Sequence, residues 1–465
     1  MSDPVLESRY RARSLWLGGI EAALTPRPAL ESSAHCDVAI VGAGFTGLWA
    51  AYYLKRHQPD LRVTVVEREI AGYGPSGRNG GWVSFGLSGS PQIYAREHGR
   101  DAVVRAQRAT QTAVDEIGSV AEREDIDCGF TKQGAIMVAT SEPQRRRLEA
   151  SHRSVLDWGG GDNDEQLLGP EQAAVHVHAA GTLAAGYTPH AARVDPARLV
   201  RGLAEACERL GVVVHEGTPA LELTPGRVRC PGGDLRADHV LRATESYTTQ
   251  LPGERLRYLP LYSLMIATEP LSEAVWEELG WRDGLLVGDR HHLFFYAQRT
   301  TDGRIAIGGR GAPYRLRDPI SERNERSVEV RSRLIRALRR HFPAAAGAEI
   351  THHWGGPLAV PRDWSMGVGH DRTSGIGWAG GYSGHGVVAA HIGGRTLADL
   401  VLDRDSDLVS LPWVGHRSRR WEPEPLRFLA SRAIVRVLED ADRREDATGR
   451  RAARTRLLAP VMPPH

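Results

Sequence analysis

The stretch HCDVAIVGAGFTGLWAAYYLKRHQPDLRVTVVERE, residues 35–69, limits what this chain can fold into more than any other. DVAIVGAG is an apolar strand run ending in glycine. FTGLWAAYYLKRH has the apolar spacing of a helix, and RVTVVE reads as a second strand. Gly42, Gly44 and Gly47 therefore take the GxGxxG positions between a strand and a helix. Gly42 allows the tight turn. Gly44 lets a pyrophosphate reach the helix N-terminus, where free N–H groups and the helix dipole favour anions, and Gly47 lets the helix pack closely on the sheet. Phe45 and Thr46 open the helix beside that site. Glu67 ends the second strand, with Arg68 next to it, where a carboxylate can accept hydrogen bonds from a ribose. A glutamate there argues against a 2′-phosphate. The pattern predicts a dinucleotide site but does not choose between NAD and FAD, and its bland alternative is a Gly-rich turn in an α/β protein.

A second glycine-rich run, GYGPSGRNGG at 72–81, follows Glu67 within a few residues. It holds too little apolar surface for a core. A loop there can turn back along the same dinucleotide, with Gly77, Gly80 and Gly81 allowing close approach and Ser76, Arg78 and Asn79 donating hydrogen bonds. A third run, AGGYSGHGVV at 379–388, stands between the strand GIGWAG and an amphipathic helix. A helix start after such a turn favours negative charge, so Gly381, Tyr382, Gly384, His385, Gly386 and Val387 are candidates for contact with a charged ring edge. His385 can donate to such a ring or cap the helix.

VGAGFTGL, GYGPSGRNGG and GYSGHGVV together resemble the FAD-dependent D-amino-acid oxidase, glycine oxidase and sarcosine oxidase superfamily, most closely its gamma-glutamylputrescine oxidoreductase-like bacterial members. The resemblance covers roughly residues 35 to 400 and continues through LPLYSLMIATEPL, GRIAIGGR and WGGPLAVPRDWSMGVG. It implies FAD, with Gly42, Gly44 and Gly47 at the pyrophosphate, Glu67 at the ribose, Ser76 to Gly81 along the flavin and Gly381 to Val387 at its pyrimidine edge. Pro75 replaces the alanine usual before the serine. With no histidine in 72–81 and no cysteine after Cys230, the resemblance implies non-covalent FAD. Of the 59 lysines and arginines only Lys55 and Lys132 are lysines, and neither matches the lysine that sarcosine oxidase-like members place beside the flavin to help oxygen react. The acceptor is therefore oxygen or another electron acceptor.

The implied reaction oxidises a C–N bond of a small amine or amino acid to an imine, which water hydrolyses to a carbonyl compound and ammonia or an amine. The cofactor performs the hard step and the protein supplies orientation. Tyr262, Phe295, Tyr296, Trp354 and Tyr382 are the candidate wall, since ring faces attract a cationic amine; aromatics in strands are otherwise core. Arg310 can pair with a substrate acid or sit in an ordinary surface ion pair, Arg78 can contact FAD phosphate or ring, and His291 and His292 read as a solvated strand end. A hydroxyl-oxidising flavoenzyme and a non-catalytic FAD-binding protein are the alternatives on the same scaffold, because fold does not fix function.

A net charge of +2 over 465 residues makes no case for nucleic acid. No run of 18 apolar residues suits a membrane span. The start MSDPVLESRYRARSLW lacks a signal-peptide pattern, and four cysteines without metal spacing read as reduced thiols of a cytoplasmic protein. The expected fold is α/β, more exactly stated as two α+β domains: a Rossmann-like FAD domain in three pieces (35–95, 185–250, 346–400) and an antiparallel-sheet substrate domain in two (96–184, 251–345). An irregular arm (1–34) and a helical tail (401–465) flank them. The arginines of the tail helix read as a solvated face, with binding to an anionic surface as the alternative. Oligomeric state stays open.

Overall fold

The computed structural model describes residues 3–312, 314–316 and 320–458, with the side chains of Arg310, Ala312 and 456–458 outside the description. Two sheets divide the chain. In the first, strands lie in the order Gly367–Asp371, Ile376–Gly380, Gly233–Arg242, Ala34–Val41, Val63–Val66, Val213–His215. From Ile376–Gly380 onward every pairing in that order is parallel. The central strand Ala34–Val41 is buried along its second half, as a parallel strand covered on both faces must be.

Helix Phe45–His57 follows it directly. Gly42 sits at φ +106, a conformation closed to most side chains. A Cβ on Gly47 would stand 2.0 Å from the Gly42 carbonyl oxygen, so this helix and its strand can approach only with glycine here. Helix Gly386–Val401 packs across the first helix, and helix Pro196–Arg209, capped by Asp195, lies on its other side. These elements share one core with Val38, Ile40, Leu48 and Trp49.

The second sheet runs Ile350–Val360, Leu259–Thr268, Ile305–Ala312, Phe295–Arg299, Leu286–Asp289, Ala135–Ala139, Ala184–Thr188, Gln166–Leu168. It is antiparallel except where Leu286–Asp289 meets Ala135–Ala139 in parallel. The hairpin expected at Asp302-Gly303 joins two of its strands. The sheet carries its own core, including Ile266, Val287, Phe295 and Leu334.

Several expectations need correction. Strand Ile350–Val360, read as part of the FAD piece 346–400, pairs along its length with Leu259–Thr268 in the second sheet. Helix Arg100–Arg123, read within the substrate piece 96–184, buries Ala106, Val114 and Ile117 in the core of the first sheet. Its apolar face fits either domain, and only packing chooses. The arm is not irregular: helices Pro4–Arg11 and Leu15–Gly18 dock it, with Trp16 edge-on to Trp354.

Of the tail-helix arginines, Arg436 and Arg443 are exposed, as a solvated face requires, but Arg427 is buried. Helix Leu426–Thr448 buries Arg427, Leu438, Ala441 and Glu445. The Arg427 guanidinium donates to the Tyr314 hydroxyl (2.6 Å) and the Tyr258 carbonyl (3.2 Å). The four cysteines are buried free thiols. Among the described residues no helix is long and apolar enough to cross a membrane.

Candidate active site

A cavity of about 890 Å3 runs from the Gly42–Thr46 turn to the end of strand Leu286–Asp289. That is the size of a large ligand site. At the first end, Glu67 accepts hydrogen bonds from the backbone N–H groups of Ala43 (2.9 Å) and Glu69 (3.0 Å), and burial raises its pKa. Arg68 lies along the same wall, donating to Gln250 (2.9 Å). Gly42, Gly44, Phe45 and Thr46 line the cavity at the helix start; Gly47 does not, because it faces the strand.

The glycine-rich run 72–81 is braced rather than flexible. Ser76 Oγ accepts from the Phe45 N–H (2.9 Å), which ties the run to the first helix. The Asn79 amide donates to the carbonyls of Pro75 (3.1 Å) and Ser76 (2.9 Å), and its oxygen accepts from Gly81 N–H (2.8 Å). Trp16, Trp354 and Gln298 each donate a side-chain N–H to a carbonyl of Asn79, Arg78 or Gly80. Ser76, Arg78, Asn79 and Gly80 border the cavity, whereas Gly77 and Gly81 turn into the packing behind it.

The guanidinium of Arg78 is held by protein groups. Its side chain is fully buried, pairs with Glu325 at 2.8 Å, and donates to the Gly355 carbonyl (3.0 Å) and the Tyr247 hydroxyl (3.0 Å). Arg13 of the arm pairs with the same glutamate.

The third run closes the middle of the cavity. Tyr382, Gly384, His385, Gly386 and Val387 line it where helix Gly386–Val401 begins. Gly381 stands just behind. The Tyr382 hydroxyl meets Thr46 Oγ1 at 2.7 Å, so the two ligand-facing helix starts are joined by a direct hydrogen bond. Glu245, at φ +42, accepts from the N–H groups of Gly381 (2.8 Å) and Tyr382 (3.2 Å). Burial pushes its pKa up to about 7 despite those bonds.

Of the five proposed wall residues, Tyr296 and Tyr382 line the cavity, as does His385; Tyr262, Phe295 and Trp354 do not. The reason is the period of two in a strand. Phe294 and Tyr296 face the cavity while Phe295 packs on His341 and Phe342 in the second core. Ser263 faces the cavity while the Tyr262 hydroxyl accepts from the Ser321 N–H (3.0 Å). Trp354 is a brace for the Arg78 carbonyl. Trp82 stands edge-on to Tyr296 at 5.9 Å, and Phe85, Met137 and Trp364 line the same cavity. Nothing in the spacing of these four marks them, since three elements far apart in sequence bring them together. The side chain of Arg310 lies outside the described residues.

His291 and His292 are packed, not solvated. His291 lies between Asp289 and Asp446 of the tail helix, and His292 meets Glu445 at 3.4 Å. Burial disfavours the His291 imidazolium, but the two carboxylates outweigh it and raise its pKa to about 10. A folded-state value above the ordinary 6.5 stabilises fully below pH 6.5, and that contribution is lost as pH rises toward 10. The unfolding midpoint should therefore fall between pH 6.5 and 10, by a contribution on the order of 5 kcal/mol, and His291→Gln should flatten that fall. A fall of equal slope in the variant would contradict this coupling.

These residues fit FAD. A helix N-terminus opens on the cavity, a carboxyl group terminates the next strand beside it, and a Cβ on Gly44 would reach Ser76 Oγ at 2.9 Å, within the space a pyrophosphate needs. The family described as FAD dependent oxidoreductase matches residues 37–400. The gamma-glutamylputrescine oxidoreductase of Escherichia coli is 28% identical over 407 residues, covering 85% of this chain and 92% of that one. A probable oxidoreductase, OrdL, of Haemophilus influenzae is 27% identical over 390 residues, covering 82% and 86%. Among solved structures, glycine oxidase from Geobacillus kaustophilus superposes with a TM-score of 0.68 at 20% identity, over 83% of this chain and 99% of that one.

Proposed function

The chain belongs to the FAD dependent oxidoreductase family, and on that premise we propose that it oxidises the C–N bond of a small amine or amino acid to an imine, with non-covalent FAD as the acceptor. The observation that carries this reading is the continuity of one cavity from the dinucleotide glycines to the aromatic chamber at Tyr296. The relatives support an amine: one is named for gamma-glutamylputrescine, and the fold is that of glycine oxidase.

FAD, when bound, takes two electrons and a proton from the substrate. The rest falls to the chain. Ala43 to Thr46 and the start of the first helix hold the diphosphate, and Glu67 holds the ribose. The start of helix Gly386–Val401 favours negative charge at the ring edge. Ring faces of Tyr296 and Trp82, edge-on to one another at 5.9 Å, attract a cationic amine and exclude water. The Tyr296 hydroxyl is fixed by Ser263 Oγ at 2.7 Å, so the wall is preorganised. Neither lysine lines the cavity: Lys55 donates to the Leu61 carbonyl (3.0 Å) and Lys132 pairs with Asp115. A flavin held here would have neither lysine beside it to assist oxygen or another acceptor. The buried thiols suit a reducing cytoplasm.

Anaerobic titration of the purified holoenzyme with polyamines, N-methylated amines and D- and L-amino acids tests the reading. Bleaching of the flavin band by one amine class is expected; recolouring in air marks an oxidase and persistent bleaching a dehydrogenase. Bleaching by hydroxyl compounds alone would overturn it. Tyr296→Ala should slow reduction by that amine roughly tenfold or more, the order of a lost cation–π and positioning contact. Acid precipitation should leave all flavin in the supernatant; flavin retained in the pellet would mean a covalent link.

A further inference from the structure

Five described residues other than glycine take a positive φ: Asp125, Glu245, Trp364, Ser383 and Asp403. Asp125 and Asp403 directly follow the caps of helices Arg100–Arg123 and Gly386–Val401, where a left-handed residue ends many helices. The other three, at +42, +64 and +52, all line the cavity and meet at one turn. Ser383 belongs to that turn, and its Oγ donates to the Trp364 carbonyl at 3.0 Å. Glu245 holds the turn from the other side, through the N–H groups of Gly381 and Tyr382. Such conformations are costly for residues with side chains and persist only where the surroundings enforce them, so their concentration marks a place where geometry matters.

The surroundings of Glu245 are specific. The carbonyl oxygen of Ala243, two residues earlier, lies 2.8 Å from where a Cβ on Gly42 would stand, so this segment abuts the dinucleotide turn. A Cβ on Gly380 would meet the Glu245 carboxylate at 2.7 Å, so glycine there lets the carboxylate reach its two donors. No cation pairs with it among the described residues: Arg242, on the strand leading to it, is taken by Glu254 at 3.0 Å. The titratable groups facing it are the phenols of Tyr258 and Tyr382, and burial pushes both up, so neither charges near neutral pH. His385 stands further along the same turn and is exposed.

We propose that Glu245 is a positioning residue for FAD: its carboxylate fixes the turn 381–383, and the negative charge it brings there lowers the reduction potential of the bound flavin. Reduction adds two electrons and one proton to FAD and leaves a negative charge near one edge of the ring. The start of helix Gly386–Val401 supplies roughly half a unit of positive charge at that edge, and an ionised Glu245 supplies a full unit of the opposite sign in the same turn. Burial raises the pKa of Glu245 to about 7, so the carboxylate is charged above that pH and neutral below it. By linkage, a carboxylate that disfavours the reduced flavin takes up a proton more readily once the flavin is reduced. The inference rests on FAD binding and goes beyond the amine-oxidising reading, since the potential belongs to the flavin without substrate.

The test equilibrates the FAD-loaded protein with reference dyes during anaerobic reduction, without substrate, at several pH values on both sides of neutrality. Well above the Glu245 pKa, Glu245→Gln is expected to raise the potential, by about tenfold in the ratio of reduced to oxidised flavin, or about 30 mV for two electrons. Well below that pKa the two proteins should agree. In wild type the protons taken up per two electrons should rise above one just above that pKa, and in Glu245→Gln they should stay at one. His385→Gln should keep the wild-type rise. Equal potentials at the alkaline end would overturn the proposal. So would an offset of the same size at both ends, which is what a turn merely displaced by the substitution would give. If Glu245→Gln holds no FAD, wild type and His385→Gln decide: an uptake fixed at one proton throughout, or a rise that His385→Gln abolishes, overturns the proposal, and a rise that survives in His385→Gln supports it. The two readings fail separately. A flavin that no amine bleaches still reports this potential, and an unchanged potential leaves the amine titration as it stands.

Discussion

Gly44→Val is expected to purify as a folded protein without flavin. The Cβ of any residue at 44 lies 2.9 Å from Ser76 Oγ, a side-chain atom that can move, so the fold absorbs the change. The cofactor site does not. The branched methyls of valine would fill the space between the helix N-terminus and the run 72–81, which is where a pyrophosphate must come within hydrogen-bond reach of the helix N–H groups. A loss of at least about a hundredfold in FAD affinity follows, on the order of 3 kcal/mol. The ratio of absorbance at the flavin band to that of protein, with circular dichroism to confirm folding, measures it. Normal flavin content would sink the assignment of this turn to the diphosphate. Gly47→Val is the contrasting variant: its Cβ would meet backbone at 2.0 Å, so it should lose the fold along with the cofactor.

Glu325→Ala is expected to lower stability by about 3–5 kcal/mol, the range for breaking a buried ion pair from one side. Glu325 neutralises two arginines, Arg78 and Arg13, whose side chains are 0% and 8% exposed. Removing it leaves Arg78 buried without a carboxylate, while Arg13 keeps Glu322 at 2.8 Å, whereas a surface pair such as Arg372 with Asp403 should cost almost nothing when cut. Because Arg78 also braces the run beside the flavin, FAD content should fall with the unfolding midpoint. Glu325→Gln, which keeps hydrogen-bond acceptors, should fall between wild type and Ala. An unchanged midpoint in Glu325→Ala would show that Arg78 reaches solvent or a ligand, and would return it to the list of direct cofactor contacts.

Much of the site was legible where chemistry demands a residue type at a fixed spacing. Gly42, Gly44 and Glu67 stand where the strand–turn–helix pattern puts them, since a tight turn and a close phosphate leave few alternatives. The runs at 72–81 and 379–388 both reach the cavity. The substrate end was legible only in part. Tyr296 was found, but Phe295 was named with it although neighbours in a strand face opposite ways. Trp82, Phe85, Met137 and Trp364 carry no motif. Arg290 and Arg147, hidden in the sequence among many arginines, also line the cavity.

By itself the sequence determined the dinucleotide site and the family, because short-range geometry around glycines and helix starts is written in consecutive residues. It also determined the strands and helices that flank the glycine-rich runs, because burial imposes periods of two and 3.6. Only the tertiary structure decided which sheet takes Ile350–Val360, which core takes helix Arg100–Arg123, and where the tail helix docks. It alone turned Arg78 inward to Glu325 and left Arg290 facing the cavity. The physical reason is common to all of these. A charged or aromatic side chain is equally compatible with solvent, core or ligand until the partners that complete its hydrogen bonds and cover its surface are brought to it from elsewhere in the chain.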